Sequence, residues 1–176
     1  MAGSLISKNV LNKTLIYIVK LLNENNIKNW FIGYGTLLGI VRDNACIDGD
    51  DDIDIVIEKS NYDIVKKLLI NNNFTIEYSY GIKRNRNILK TKPNDEFCSV
   101  DFYMATLDKD GNFNDTWEEV IWGKCFDENN QLIKYTWNDN LLYLPANYEE
   151  KLINRYGEEW KIPMNSKGPF PRKRII

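Results

Sequence analysis

The sequence predicts an α+β (α/β) domain, a mixed β-sheet flanked by helices, and three patterns carry that prediction. Within residues 5–25, Leu11, Leu15, Ile18, Val19 and Leu22 recur at helical spacing, with Lys13 and Lys20 off that face. Trp30-Phe31-Ile32 is a short apolar run that breaks at Gly33-Tyr34-Gly35, after which Thr36 opens a turn carrying Leu37, Leu38, Ile40 and Val41. That order reads as strand, glycine turn and helix, with Thr36 as the expected cap. Ile53-Asp54-Ile55-Val56-Ile57-Glu58 is β-branched and reads as a second strand.

The later elements follow from similar signals. Ser60, with Asp63 three residues on, predicts the start of a helix bearing Tyr62, Val65, Leu68 and Leu69. Phe74, Ile76 and Tyr78 alternate with polar residues, the period of a half-buried strand, and a further strand is expected from Phe97 to Ala105. Asp108 to Asn112 is a turn. Beyond it the aromatic stretch through Trp117, Trp122 and Trp137 has no clear period. Asn147 to Tyr156 has helical character, with Gly157 where a C-terminal cap belongs.

Size and composition fit one domain over residues 1–176, with a core over about 5–163 and an irregular basic tail at 164–176. The chain has 176 residues, enough for one substantial core but not for two comfortable ones. A formal charge of −2 gives no overall basic field, so no nucleic-acid partner is expected. No signal peptide or membrane-spanning run is readable, which predicts a cytoplasmic protein. There is no His, and Cys46, Cys98 and Cys125 are widely separated. Zinc sites of the usual kinds and His-activated nucleophiles are thereby excluded, leaving carboxylates as acid, base and metal ligand.

Those carboxylates concentrate in Asp48-Gly49-Asp50-Asp51-Asp52-Ile53-Asp54. Asp52 and Asp54 are two residues apart on a predicted strand, so both leave the same face, roughly 6 to 7 Å apart, while Ile53 and Ile55 point into the core. Like charges held this close call for a cation. A hard divalent ion, Mg²⁺ or Mn²⁺, suits an all-oxygen site and binds substrate phosphates as well. Asp101, between Val100 and Phe102, offers a third carboxylate, as metal ligand or as general base. Gly33, Gly35 and Thr36 offer backbone N–H groups to a phosphate. An EF-hand does not fit, because Lys59 stands at the twelfth position counted from Asp48. The basic cluster Lys83, Arg84, Arg86, Lys90 and Lys92 reads either as a solvated strand edge or as a clamp on a pyrophosphate, with Arg84 as its candidate contact.

In their order, Tyr34-Gly35-Thr36-Leu37-Leu38-Gly39-Ile40-Val41-Arg42, Ile47 and Asp50-Asp51-Asp52-Ile53-Asp54-Ile55 resemble the signature of the LicD/fukutin family. Val100-Asp101-Phe102 resembles that family's third acidic strand. Tyr148 to Leu152, with Tyr156-Gly157 and Trp160, resembles its C-terminal helix motif. The resemblance spans roughly residues 30–163 and implies a nucleotidyltransferase fold. It also implies an activity: transfer of a phospho-alcohol, such as phosphocholine or ribitol phosphate, from a CDP-linked donor to a glycan or small hydroxyl acceptor. By the same resemblance Asp52, Asp54 and Asp101 hold the metal and Gly35 and Thr36 contact donor phosphate. Arg42 pairs with that phosphate or braces an Asp of the acidic run. Where the family pattern has Pro-Trp, this chain has Asp48-Gly49. Two other readings keep the fold: a nucleotidyltransferase that moves a nucleoside monophosphate from a triphosphate, and a catalytically silent interaction module.

Overall fold

A computed structural model describes residues 6–78, 86–163 and 174–176. Helix α1 (Lys8–Glu24) buries Leu11, Thr14, Leu15, Ile18, Val19 and Leu22 along one face. Each large apolar side chain so buried stabilises the fold by about 1.5–3 kcal/mol before entropic costs. Strand β1 (Trp30–Ile32) leads into α2 (Tyr34–Asp43), and β2 (Asp52–Glu58) follows. A 3-10 turn (Lys59–Asn61) precedes α3 (Tyr62–Asn71), so the expected Ser60 cap does not form and Asn61 is the residue at the helix boundary. Strands β3 (Ile76–Glu77), β4 (Ile88–Thr91) and β5 (Ser99–Leu107) come next.

These strands form one sheet in the order β1-β2-β5-β4-β3. The central pair, β2 and β5, is parallel, and β1, β4 and β3 join it antiparallel. Strand β6 (Phe113–Asp115) extends the far end of β5 and pairs in turn with β7 (Val120–Trp122). A separate hairpin, β8 (Ile133–Trp137) with β9 (Asn140–Leu144), packs on α1 and β1, and α4 (Tyr148–Tyr156) follows it. The aromatic stretch without a sequence period therefore consists of short strands. Phe113, Trp122 and Trp137 are buried there, each fixed by partners distant in sequence.

Two features differ from the sequence expectation in ways that bear on function. Strand β4 lies between β5 and β3, so Lys90 is not on a solvated strand edge. Of the expected tail, residues 164–173 lie outside the described residues, and Arg174 to Ile176 lie along β7: Ile121 N–H donates to the Arg174 carbonyl, Gly123 N–H to that of Ile176, and Ile176 is buried. Three backbone bonds along β7 and one apolar side chain outweigh the polar composition around them.

Candidate active site

Along β2 the side chains alternate, and the sheet register does the rest. Ile53, Ile55 and Ile57 are fully buried on one face, while Asp52 and Asp54 project from the other. In the parallel pairing Asp54 stands opposite Asp101 and Asp52 opposite Ser99. The three carboxylates proposed from the sequence thus share one face of adjacent strands, and the antiparallel pairing of β4 sets Lys90 opposite Asp101 on its other flank.

Asp54 is held by neutral donors. Its Oδ2 accepts the N–H of Gly35 at 2.9 Å and of Thr36 at 3.4 Å, and its Oδ1 accepts the Tyr103 hydroxyl at 3.1 Å. With Gly33 at the N-cap, Gly35 and Thr36 are the second and third residues of α2, the two amides a capping side chain normally satisfies. The cap comes from a strand 18 residues away rather than from Thr36, whose hydroxyl instead accepts the Asp54 N–H at 2.8 Å. Gly33 N–H donates to the Asp54 carbonyl. The amides that the sequence offers to a phosphate are therefore bonded to Asp54 in this structure.

Glycine at position 35 leaves room for two carboxylates. A Cβ there would sit 2.8 Å from Asp50 Oδ2 and 3.3 Å from Asp54 Oδ2. Gly39, one turn on, lets the chain fold back over α2, since its Cβ would meet the Ala45 carbonyl oxygen at 2.6 Å. The Gly-Thr-Leu-Leu-Gly run is thus a packing device that brings the acidic loop against the helix start.

Asp52 and Asp101 are held by a charge. Lys90 Nζ lies 2.7 and 2.8 Å from the two oxygens of Asp101 and 3.4 Å from Asp52 Oδ2. Asp101 Oδ1, though beside the ammonium, is buried without a hydrogen bond of good geometry. Burial and the neighbouring Asp101 push the Asp52 carboxyl up to about 7. Asp54 is raised well above the usual range by burial and by Asp52, and Asp101 is raised by burial against the opposing pull of Lys90. For Lys90 burial favours the neutral amine, but Asp101 and Asp52 outweigh it and raise its pKa.

Nearer the loop, carboxylate oxygens of Asp50, Asp51 and Asp52 lie within 4.8 Å of one another, an acidic triad close enough to hold a metal ion. Arg42 does not brace the acidic run here: it forms a two-pronged pair with its neighbour Asp43, with Nη2 2.7 Å from Oδ2. Arg84 lies outside the described residues. Tyr103 is not among the residues the sequence singles out, and Lys90, named there only within the basic cluster, meets the acids instead. Tyr103 follows Asp101 by two and shares its face, a usable signal, whereas Lys90 depends on a strand register that sequence does not display. Behind Tyr103, Tyr34 packs with its ring tilted at a centroid distance of 4.6 Å and donates its hydroxyl to Asp115 at 2.6 Å, bracing the ring that bonds Asp54.

The Asp48-Gly49 departure has a structural explanation. Asp48 Oδ1 accepts the Lys8 N–H at the start of α1, at 2.9 Å. Gly49 has φ +82° and its N–H bonds the Ile6 carbonyl, while Ile6 N–H returns to the Asp50 carbonyl. The dipeptide fastens the first helix to the acidic loop. Trp at position 49 would be strained at that φ.

An antiparallel strand, a glycine-initiated helix and a parallel acidic strand pair are the parts of the nucleotidyltransferase fold, and solved structures show the same fold. A lincosamide antibiotic adenylyltransferase, LnuA, in its lincomycin-bound crystal structure superposes with a TM-score of 0.54 and 18% identity, covering 81% of this chain and 85% of that one. The solution structure of the antibiotic-resistance factor ANT(2'')-Ia gives 0.56 and 14%, over 79% of this chain and 66% of that one. The crystal structure of ANT(2'')-Ia with adenylyl-2''-tobramycin gives 0.50 and 18%, over 76% and 68%. Among curated proteins, none matches the sequence at a significant level. The chain belongs to the LicD/FKTN/FKRP family through its nucleotidyltransferase domain, which matches residues 26–154. Among the described residues no helix is long and apolar enough to cross a membrane.

Proposed function

We propose that this domain transfers a phospho-alcohol, such as phosphocholine or ribitol phosphate, from a CDP-linked donor to a hydroxyl of a glycan or small acceptor, with Mg²⁺ or Mn²⁺. The observation that carries this reading is the register of β2 and β5, which sets Asp54 beside Asp101 with Asp52 on the same face. The residues fit a hard cation: every donor is an oxygen, Asp101 Oδ1 is buried without a hydrogen bond, and a positive ammonium already lies against the pair. Asp52 and Asp101 would hold the ion, with Asp54 fixing the carboxylate face beside them. When bound, such an ion neutralises donor phosphate and stabilises charge on the leaving oxygen.

The chain's own groups do the remaining work. Asp54, fixed by two amides and a hydroxyl, sets the geometry of the carboxylate face. Gly33, Gly35 and Thr36 act through Asp54, as positioning residues. Asp101, buried and raised in pKa, would accept the proton of the attacking hydroxyl as the phosphorus–oxygen bond to CMP breaks.

A second reading, transfer of a nucleoside monophosphate from a triphosphate to a small hydroxyl, is supported by the solved neighbours, which are antibiotic nucleotidyltransferases. Product analysis separates the two. With Mn²⁺ and CDP-choline or CDP-ribitol, the first reading expects CMP. Pyrophosphate released from CTP, UTP or ATP, with no CMP from either CDP-alcohol, would select the second. Calorimetry that shows no metal-dependent binding of any of these nucleotides would remove both.

A further inference from the structure

Lys90 is a charged residue against the carboxylate face whose presence the proposed reaction leaves unexplained. Its ammonium lies 2.7 and 2.8 Å from the two oxygens of Asp101 and 3.4 Å from Asp52, the position in which a cation shared by those two acids would also lie. A divalent ion bonded to Asp101 sits roughly 2.1 Å from the oxygen, so ion and ammonium would be held a few ångströms apart across one carboxylate. The two cations repel in a half-buried setting where little water screens them. Each therefore weakens the other's hold on Asp101.

The rest of the site shows which partner yields. Asp54 is held by amides and a hydroxyl, neutral donors anchored in helix α2 and strand β5. The Lys90 ammonium is held by the two acids themselves. Its side chain is about 30% exposed at the end of a four-carbon stem, so the ammonium can turn towards solvent without disturbing the sheet.

We propose that Lys90 is a built-in counter-ion that competes with the divalent cation for Asp52 and Asp101, so that the ammonium must leave these carboxylates before the ion binds. The inference rests on the metal-dependent reading above. In the absence of metal Lys90 keeps the acids from repelling one another, and it lowers metal affinity by the same interaction. Occupancy of the site then depends on free metal concentration, and a donor phosphate arriving with the ion would meet a freed ammonium.

Titration calorimetry with Mn²⁺ alone, on the full chain and its Lys90→Met, Lys90→Gln and Lys90→Arg variants, tests this directly. Removing the charge is expected to tighten Mn²⁺ binding by about tenfold or more, the scale of one displaced ion pair. Lys90→Arg, which keeps the charge, is expected to stay within about threefold of the parent. Thermal melts should show both neutral variants less stable than the parent without metal and regaining the loss with Mn²⁺, a pattern that a purely structural lysine would not produce. Equal or weaker Mn²⁺ binding by both neutral variants, with the parent still binding, overturns the competition and leaves the metal-dependent reading intact. No binding by any of the four proteins overturns both. Tighter binding by the neutral variants, with no consumption of any donor by the parent, supports the competition and removes the transfer reading.

Discussion

The two ends of the carboxylate face are supported in opposite ways. At one end Asp54 caps α2 and accepts a tyrosine hydroxyl, all from neutral groups built into the backbone or packed between rings. At the other end Asp52 and Asp101 are held by one flexible charged side chain. Fixed dipoles give geometry that survives ligand exchange, whereas a mobile charge gives compensation that can be withdrawn. The first end is suited to a scaffold and the second to a binding site.

Breaking the exchangeable end has the largest expected effect. Asp101→Asn is expected to lower transfer by at least about a thousandfold, roughly 4 kcal/mol of barrier, and to weaken Mn²⁺ binding by calorimetry. The melting temperature without metal should change little or rise, because a raised-pKa carboxylate has been made neutral.

The pH dependence sharpens the same contrast. Between the ordinary value of 3.8 and about 7, folded Asp52 retains a proton that the unfolded chain releases. Stability without metal therefore falls as pH rises through that window, by an amount bounded on the order of 4 kcal/mol, and flattens above it. Mn²⁺ should restore most of the loss at pH 7.5–8 and little at pH 5. Melting curves across pH with and without Mn²⁺ measure this, and stability that instead climbs steadily from pH 4 to 7 would contradict the assigned burial.

At the scaffold end, Asp54→Ala leaves the amides of Gly35 and Thr36 without their acceptor. A destabilisation of about 1–3 kcal/mol is expected by urea titration, a loss that Mn²⁺ does not recover. The smallest effect is expected at Asp48→Ala, about 1 kcal/mol from the lost cap on α1, with donor turnover unchanged once the protein is folded. Loss of turnover there would show that the loop at Asp48-Gly49 acts on substrate as well as on the helix.

Much of the site was legible because its signals are local. Asp52 and Asp54 announce a shared face by a spacing of two, and β-branched neighbours fix the strand that carries them. Asp101 was recognisable between Val100 and Phe102 for the same reason. Thr36 was misread as a cap because the true cap, Asp54, reaches it across the fold. Arg42 was expected to meet an acid of the run, but the adjacent Asp43 is within reach without any tertiary contact.

The sequence by itself determined the α+β class, the acidic strand with its apolar reverse face, and the family, since periodicity and short motifs are properties of neighbouring residues. Only the tertiary structure decided which cation meets those acids. Lys90 reaches Asp101 and Asp52 through the antiparallel register of β4 on β5, and Asp54 reaches α2 through the return of the chain over Gly39. Register and chain return are set by the packing of the whole sheet, and no local spacing encodes them.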